Sequence, residues 1–241
     1  GYCAYMYAQQ ALYVGQGLNE LISITASYSE VLTKINQIST LSYNEILRQT
    51  ALNLVGDAKN PILLIGKACD ETTQIALLEN TNDGQGLAFT FINKLFLAYI
   101  FEDFDTAIET AQKATKYLDT ITAMYLVSIF YFYDSLARLQ KSSSVFETVN
   151  ANQDKMQNWA YHAPMNHQHK VDLVEAEKNR VLNNKIEAIE YYDKAIFGAK
   201  ENEYTQEEAL ANELAAKFYL DWGKEKVASS YMQEAYYFYA R

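Results

Sequence analysis

Proline and glycine are the residues that most restrict what this chain can become. Two prolines and nine glycines occur among 241 residues, less than half of the ~12% that the pair usually makes up. A sandwich or barrel needs turn residues every ~8–12 positions, and a collagen-like or linker-rich chain needs many more. The aromatic share is 14% and includes 20 tyrosines, which supplies the apolar area that disordered chains lack. A mostly helical, well-buried chain is what remains.

The helical reading is supported by the spacing of apolar residues, which recur three and four positions apart, as in Leu210, Leu214 and Tyr219 beside Ala211 and Ala215. Helix starts are marked by capping-box spacings at Ser42/Glu45, Ser144/Glu147 and Thr205/Glu208, and by a proline at the first helical position in Asn60-Pro61 and at Pro164. Gly56, Asn80–Gly86 and Gly223 mark stops. Twelve helices are expected, over residues 2–14, 18–37, 42–55, 61–79, 85–101, 104–118, 121–140, 145–161, 165–182, 185–200, 206–222 and 224–240. Ile62–Ile65 has a strand-like composition, but its proline start and the continuation through Ala68, Ile75 and Leu78 favour helix.

A repeat underlies this pattern. Lys185–Ile196 carries Ala188, Tyr192 and Ala195 at the spacing of the second helix of a tetratricopeptide repeat. Glu102–Ala114 carries Phe104 followed by Ala107, Ala111 and Ala114. The last unit has Ala216 and Tyr219 on its first helix, Gly223 in the turn, and Ala228, Met232 and Ala235 on its second. The matching alanines, Ala107, Ala188 and Ala228, lie 81 and then 40 residues apart, against ~34 for a standard unit. The expected fold is all-α: a right-handed α-α superhelix, a tetratricopeptide-like solenoid of about six antiparallel helix pairs in ~40-residue units. Residues 1–241 form one such domain, with degenerate repeats in 1–80 and clearer ones in 81–241. Most tyrosines are assigned to packing within and between repeats, where the ring covers apolar area and the hydroxyl reaches the rim.

Charge and cysteine content narrow the partners. The net charge is −10, spread as −6 over residues 1–120 and −4 over 121–241, and no basic cluster occurs. Nucleic acid and anionic membrane both need one, so neither is expected. Cys3 and Cys69 make neither a disulfide framework nor a metal knuckle, and as buried free thiols they suit a reducing cytoplasm. The longest apolar stretch, Ile121–Tyr133, falls short of the ~20 residues a membrane span needs. The chain has neither a signal peptide nor an initiator Met and stops at Arg241 inside a helical pattern, which reads as a piece of a longer protein.

No catalytic motif emerges. Gly66-Lys67 has the ending of a phosphate-binding loop, but Pro61 stands where its first glycine belongs and Ala68 where its Ser or Thr belongs. Gly15-Gln-Gly17 and Gly84-Gln-Gly86 lack a preceding strand. All three histidines, His162, His167 and His169, fall within eight residues, and His167 and His169 with Asp172 or Glu175 are the best metal-ligand set on offer. Residues two apart on a helix do not face one another, so no metal and no cofactor is assigned. No nucleophile has a nearby base. A terpenoid synthase-like helical enzyme would need an Asp-Asp-x-x-Asp run, which is lacking.

The remaining functional surface is the inner curve of the solenoid, lined by the first helix of each pair. That register selects Phe89, Ile92, Phe96 and Tyr99 in one unit, Lys170, Glu177 and Arg180 in the next clear one, and Glu213, Lys217 and Asp221 in the last. A mixed aromatic and charged lining suits a protein or peptide partner. A small-molecule pocket between repeats, with Phe96, Tyr99 and helix 121–133 as its wall, is an alternative.

The C-terminal third also carries family features: Trp159–His169, Val174–Glu177, Glu187–Ala195, and above all Glu208–Leu220 running into Ala235–Arg241. With Asn93-Lys94-Leu95 and Tyr133–Leu136, these resemble the helical-repeat region of very large bacterial, chiefly cyanobacterial, signalling proteins. Those proteins place a serine/threonine kinase-like domain first, then an AAA/STAND-type ATPase, the helical region, a GAF domain and a histidine kinase. The resemblance implies a non-catalytic interaction and regulatory module that couples sensing or ATPase state to kinase output, with other domains of the same chain among its partners. It carries over no catalytic residue. A stand-alone peptide-binding adaptor is the alternative.

Overall fold

A computed structural model describes residues 1–141 and 146–240. Among these, the chain folds into twelve α-helices and one short 3-10 turn. The helices are α1 (Tyr2–Val14), α2 (Leu18–Lys34), α3 (Ile38–Leu54), α4 (Glu71–Asn80), α5 (Gly84–Ile100), α6 (Phe104–Thr115), α7 (Leu126–Leu139), α8 (Phe146–His162), α9 (Pro164–Val181), α10 (Lys185–Glu201), α11 (Thr205–Asp221) and α12 (Glu225–Tyr239). The 3-10 turn covers Leu118–Ile121. No β-strand occurs among the described residues; an isolated bridge joins Ile65 to Asp70. The all-α class is as the scarcity of chain-breakers requires. Among the described residues no helix is long and apolar enough to cross a membrane.

The corners show how so few glycines suffice. Seven connections among the described residues are three residues long, and six of them share one geometry: Ile35–Gln37, Thr81–Asp83, Phe101–Asp103, Leu182–Asn184, Asn202–Tyr204 and Trp222–Lys224. The middle residue of each lies in the left-handed region: Asn36, Asn82, Glu102, Asn183, Glu203 and Gly223, with φ between 51° and 74°. Its N–H returns to the carbonyl three residues back, and the next N–H to the carbonyl five back, as in Asn183 to Arg180 (3.1 Å) and Asn184 to Asn179 (2.9 Å). This Schellman closure satisfies the last carbonyls of the ending helix, and the residue that completes it is already the N-cap of the next. Asn fills three of the six left-handed positions, a conformation it tolerates better than most side chains, and Glu fills two.

The chain divides into two compact units. One comprises Gly1–Leu12 with Gln16–Ala137, the other Tyr13–Gly15 with Arg138–Arg241. In the first, Tyr5 of α1, Tyr43 of α3 and Phe89 of α5 form a buried aromatic cluster with ring centroids 5.0 to 5.7 Å apart. The Tyr43 hydroxyl donates to the Asp83 carboxylate at 2.8 Å, which also caps α5 by accepting from the Gly86 N–H. Phe96 and Tyr99 pack on Tyr133 of α7, 5.1 and 5.3 Å away. In the second unit α9 is central, packing against α8, α10 and α11. The small residues of the repeat, Ala107, Ala111, Ala114, Ala188, Ala195, Ala228 and Ala235, are all buried, where they allow adjacent helices to approach closely. Gly198 of α10 does the same, since a Cβ there would lie 3.2 Å from the Cβ of His169.

Two segments depart from the sequence reading. The helix expected over 61–79 forms only from Glu71; residues 57–70 are an ordered loop held by side chains that supply hydrogen bonds a helix would have made internally. Asn53 donates to the carbonyls of Pro61 and Leu63 (3.0 and 2.7 Å), Gln49 accepts from the N–H of Ala68 (2.9 Å), and Glu71 accepts from that of Leu64 (2.7 Å). Asp70, not Asn60, is the N-cap, accepting from the Thr72 N–H. The apolar stretch from residue 121 is likewise broken before α7. Thr120 and Thr122 bond their own local carbonyls, at Tyr117 and Asp119, and such bonds compete with helix. Of the capping boxes, Ser42 lies inside α3, Thr205 is the first residue of α11 behind an N-cap at Tyr204, and Ser144 lies outside the described residues. Pro164 does open α9.

Candidate functional site

A cluster of almost wholly buried ionisable groups lies inside the second unit, on α9 and the start of α11. His169, Lys170 and Glu207 are 2%, 1% and 2% exposed. One carboxylate oxygen of Glu207, Oε2, is approached by His169 Nε2 at 2.5 Å and by Lys170 Nζ at 2.8 Å, and the two nitrogens are 3.0 Å apart. Lys170 also donates to the carbonyl of Asn166 at 3.0 Å and stands 4.3 Å over the ring of Tyr204, whose hydroxyl donates to the Asn166 side chain. Burial and the neighbouring ammonium both hold His169 below the usual histidine range, outweighing the pull of Glu207. Burial likewise lowers Lys170 despite Glu207. Burial alone would raise Glu207, but Lys170 and His169 prevail and hold it below the usual carboxylate range. Lys170 and Glu207 stand at ion-pair distance, 2.8 Å, beside an imidazole whose charged form burial and the ammonium both disfavour. Unpaired charges are almost never tolerated at such depth.

A second buried carboxylate lies two turns along α9. Glu177 accepts from the Tyr192 hydroxyl of α10, from Gln140 at 2.7 Å and from Arg180 Nε at 2.9 Å. Arg180 in turn donates to the Leu139 carbonyl at 3.3 Å. These bonds fix α9 to α10 and to the end of α7.

The ten residues expected on the inner curve fall into two sets. Phe89, Ile92, Phe96, Tyr99, Lys170 and Glu177 are buried, because α5 and α9 are covered by other helices and present no open face at these positions. They pack or pair internally and do not line a groove. Arg180, Glu213 and Lys217 are half-buried and Asp221 is exposed. Arg180 is committed to Glu177, and Lys217 pairs with Glu213 at 2.6 Å, which also accepts from Tyr239 of α12 at 2.9 Å. The wall expected for a small-molecule pocket, Phe96, Tyr99 and residues 121–133, packs on itself, with Phe96 and Tyr99 against Tyr133.

The histidines do not converge on a metal. Among the described residues no group of three or more metal-binding side chains comes together. His167 faces the ring of Trp159 at 6.0 Å and is pushed down to about 4, chiefly by burial. His169 turns its Nε2 to a carboxylate already shared with an ammonium ion 3.0 Å away, a charge that repels any cation. Cys69 is buried, and burial beside Glu71, Glu45 and Asp70 pushes its thiol up to about 12, leaving little thiolate to react.

The accessible feature that sequence reasoning missed is on α12. Ser229, Met232, Gln233, Tyr236, Tyr237 and Ala240 line a shallow open groove of about 780 Å³, with Met232, Tyr236 and Tyr237 exposed. Their spacing of three and four residues places them on one face of the helix. The signal was present in the repeat itself. Forty residues earlier, Tyr192 of α10 occupies the position of Met232, and there it is buried. Tyr192 packs 5.5 Å from Phe218 of α11, and Asp193 accepts from the Tyr231 hydroxyl of α12 at 3.2 Å.

Compared with known protein families, curated proteins and solved structures, the chain matches none.

Proposed function

We propose that this chain is a non-catalytic helical-repeat module, a tetratricopeptide-like solenoid that binds a helical partner on α12. What supports this reading is the position that α11 covers on α10: Tyr192 is buried there, and its equivalent forty residues on, Met232 of α12, is exposed beside Tyr236 and Tyr237. The three-residue turns and the buried small stripe support the solenoid reading, because a stacked pair buries its apolar face only against the next pair. The partner is an amphipathic helix whose apolar side meets Met232 and Tyr236. The cluster of His169, Lys170 and Glu207 lies behind packed helices, almost wholly buried, which favours binding over catalysis. The resemblance to large multidomain signalling proteins supplies the context: a module that relays sensing or ATPase state to a kinase, with a neighbouring domain as the partner.

A photoreactive residue placed at 232 tests this reading in the cell that makes the protein, with the exposed position 116 as reference. Cross-links from 232 into a helical segment, lost when Tyr236 is changed to Lys, are expected. A yield at 232 no higher than at 116 overturns the reading.

A further inference from the structure

The His169–Lys170–Glu207 cluster joins α9 to α11, two helices separated in sequence by all of α10. We propose that it is a proton-operated latch: a neutral His169 keeps α11 closed on α9, and a second proton on its ring releases the two helices from each other.

His169 Nε2 lies 2.5 Å from Glu207 Oε2, a separation that requires a proton between them. With Glu207 ionised, that proton is carried on Nε2, and the neutral ring then has a bare Nδ1. Nδ1 is buried and has no hydrogen-bond partner; the same is true of Glu207 Oε1. A bare acceptor is the less costly of the two forms that Nδ1 can take, because an orphaned N–H is the rarer event in folded proteins. The closed cluster thus holds one positive and one negative charge and is neutral overall.

A second proton at Nδ1 changes three things at once. It creates a buried N–H with nothing to accept it, which carries the full desolvation penalty of that group. It gives the imidazole a positive charge with the Lys170 ammonium 3.0 Å from its Nε2. It also leaves the cluster with one uncompensated charge at almost complete burial. Water relieves all three, and water reaches the ring only when α11 moves off α9. Proton uptake and opening are therefore one event.

Among the described residues the surroundings offer no compensating carboxylate. Besides Lys170 and Glu207, the charged or titratable groups near the ring are His167 on α9 and Tyr204 at the start of α11, whose ring lies 4.5 Å from that of His169. The α10 contact is Gly198, and α8 presents Trp159 to His167; neither titrates. Asp172 pairs with Gln168 and feels Lys194, and Glu208 feels Lys200 and Glu234. Burial raises both of these carboxyls, so acid favours their folded forms.

For the histidines the linkage runs the other way. His169 is lowered from 6.5 in the folded chain, so below that value the open form holds more protons and closure weakens as pH falls. One proton bound on opening gives at most about a tenfold rise in the opening constant per pH unit. Residue-resolved amide exchange, with EDTA present and corrected for the intrinsic pH dependence, reads this directly. Between pH 7 and 5 the α9 and α11 amides are expected to lose protection in wild type. His169→Gln, whose amide nitrogen reaches the Nε2 position but takes no proton, removes one proton's worth of that slope. His167→Gln leaves the His169 share in place. Unchanged wild-type protection from pH 7 to 5, or a wild-type slope in His169→Gln, overturns the latch. A second readout needs no variant: the His169 ring signals of wild type followed by NMR. Titration well below 6.5, together with loss of protection, is expected; titration near 6.5 with α9 and α11 still protected overturns the proposal.

Discussion

Lys170 looks, in sequence, like a surface residue of an amphipathic helix, since lysines are almost never fully buried unless paired. Its place in the core depends on Glu207, 37 residues away, and nothing in the local pattern announces that pairing. Glu177 is hidden in the same way by its dependence on Tyr192. Removing one partner of a buried pair strands the other charge, at about 3–5 kcal/mol, whereas replacing both with apolar residues is often close to neutral. Lys170→Met alone should therefore lower the unfolding free energy by roughly that amount, and Lys170→Met with Glu207→Leu should recover most of it. Urea denaturation at pH 7.5 measures both. A double variant no more stable than the single one would show that the cluster's charges do not compensate each other.

At the scale of the element, helix identity was largely legible and helix ends were less so. Pro164 opens α9 as a proline at the first helical position should, and the alanine spacing of α6, α10 and α12 marks their buried faces. The starts of α3 and α11 were misread because Ser42/Glu45 and Thr205/Glu208 satisfy a capping pattern that the Schellman corners pre-empt: the N-cap is assigned by where the previous helix closes. The 57–70 loop was misread because its stability comes from Gln49 and Asn53, outside the segment. The corners also yield a prediction. Glu203 is exposed with φ 62°, a conformation that costs an L-residue roughly 1–2 kcal/mol. Glu203→Gly should stabilise the chain by about 0.5–1 kcal/mol, part of the relief being returned to the more flexible unfolded chain. Glu203→Val should destabilise it, because a branched side chain is least tolerant of positive φ. Thermal melts of the two variants should move in opposite directions.

Across the whole molecule the polar bookkeeping is uneven. All three histidines lie between residues 162 and 169, in the second compact unit. Acidification from pH 6.5 toward 5 titrates ordinary histidines and few other groups, so its effect should be confined to that unit: amides of α8 to α12 lose protection while those of α3 and α5 keep theirs. Equal losses in both units would place the acid-sensitive groups elsewhere. The repeat spacing, legible in the alanines, was enough to foresee an all-helical chain. It was not enough to foresee which first helices would be covered, since the same periodicity describes a helix with one buried face and a helix such as α5, buried nearly all round. The inner-curve register failed at Phe89, Ile92, Phe96 and Tyr99 for that reason.

The three-residue corners bear on how the chain acquires its structure as well as on the structure itself. Each brings a helix back alongside the one just made, so the partners that meet are close in sequence and little loop entropy is spent in joining them. A nascent chain can complete one hairpin while the next is still being synthesised, and expose only the latest apolar face to the cell at any moment. Such hairpins should form early after dilution from denaturant, ahead of the slower long-range steps that seat Tyr5 on Phe89 and bring residues 13–15 into the second unit.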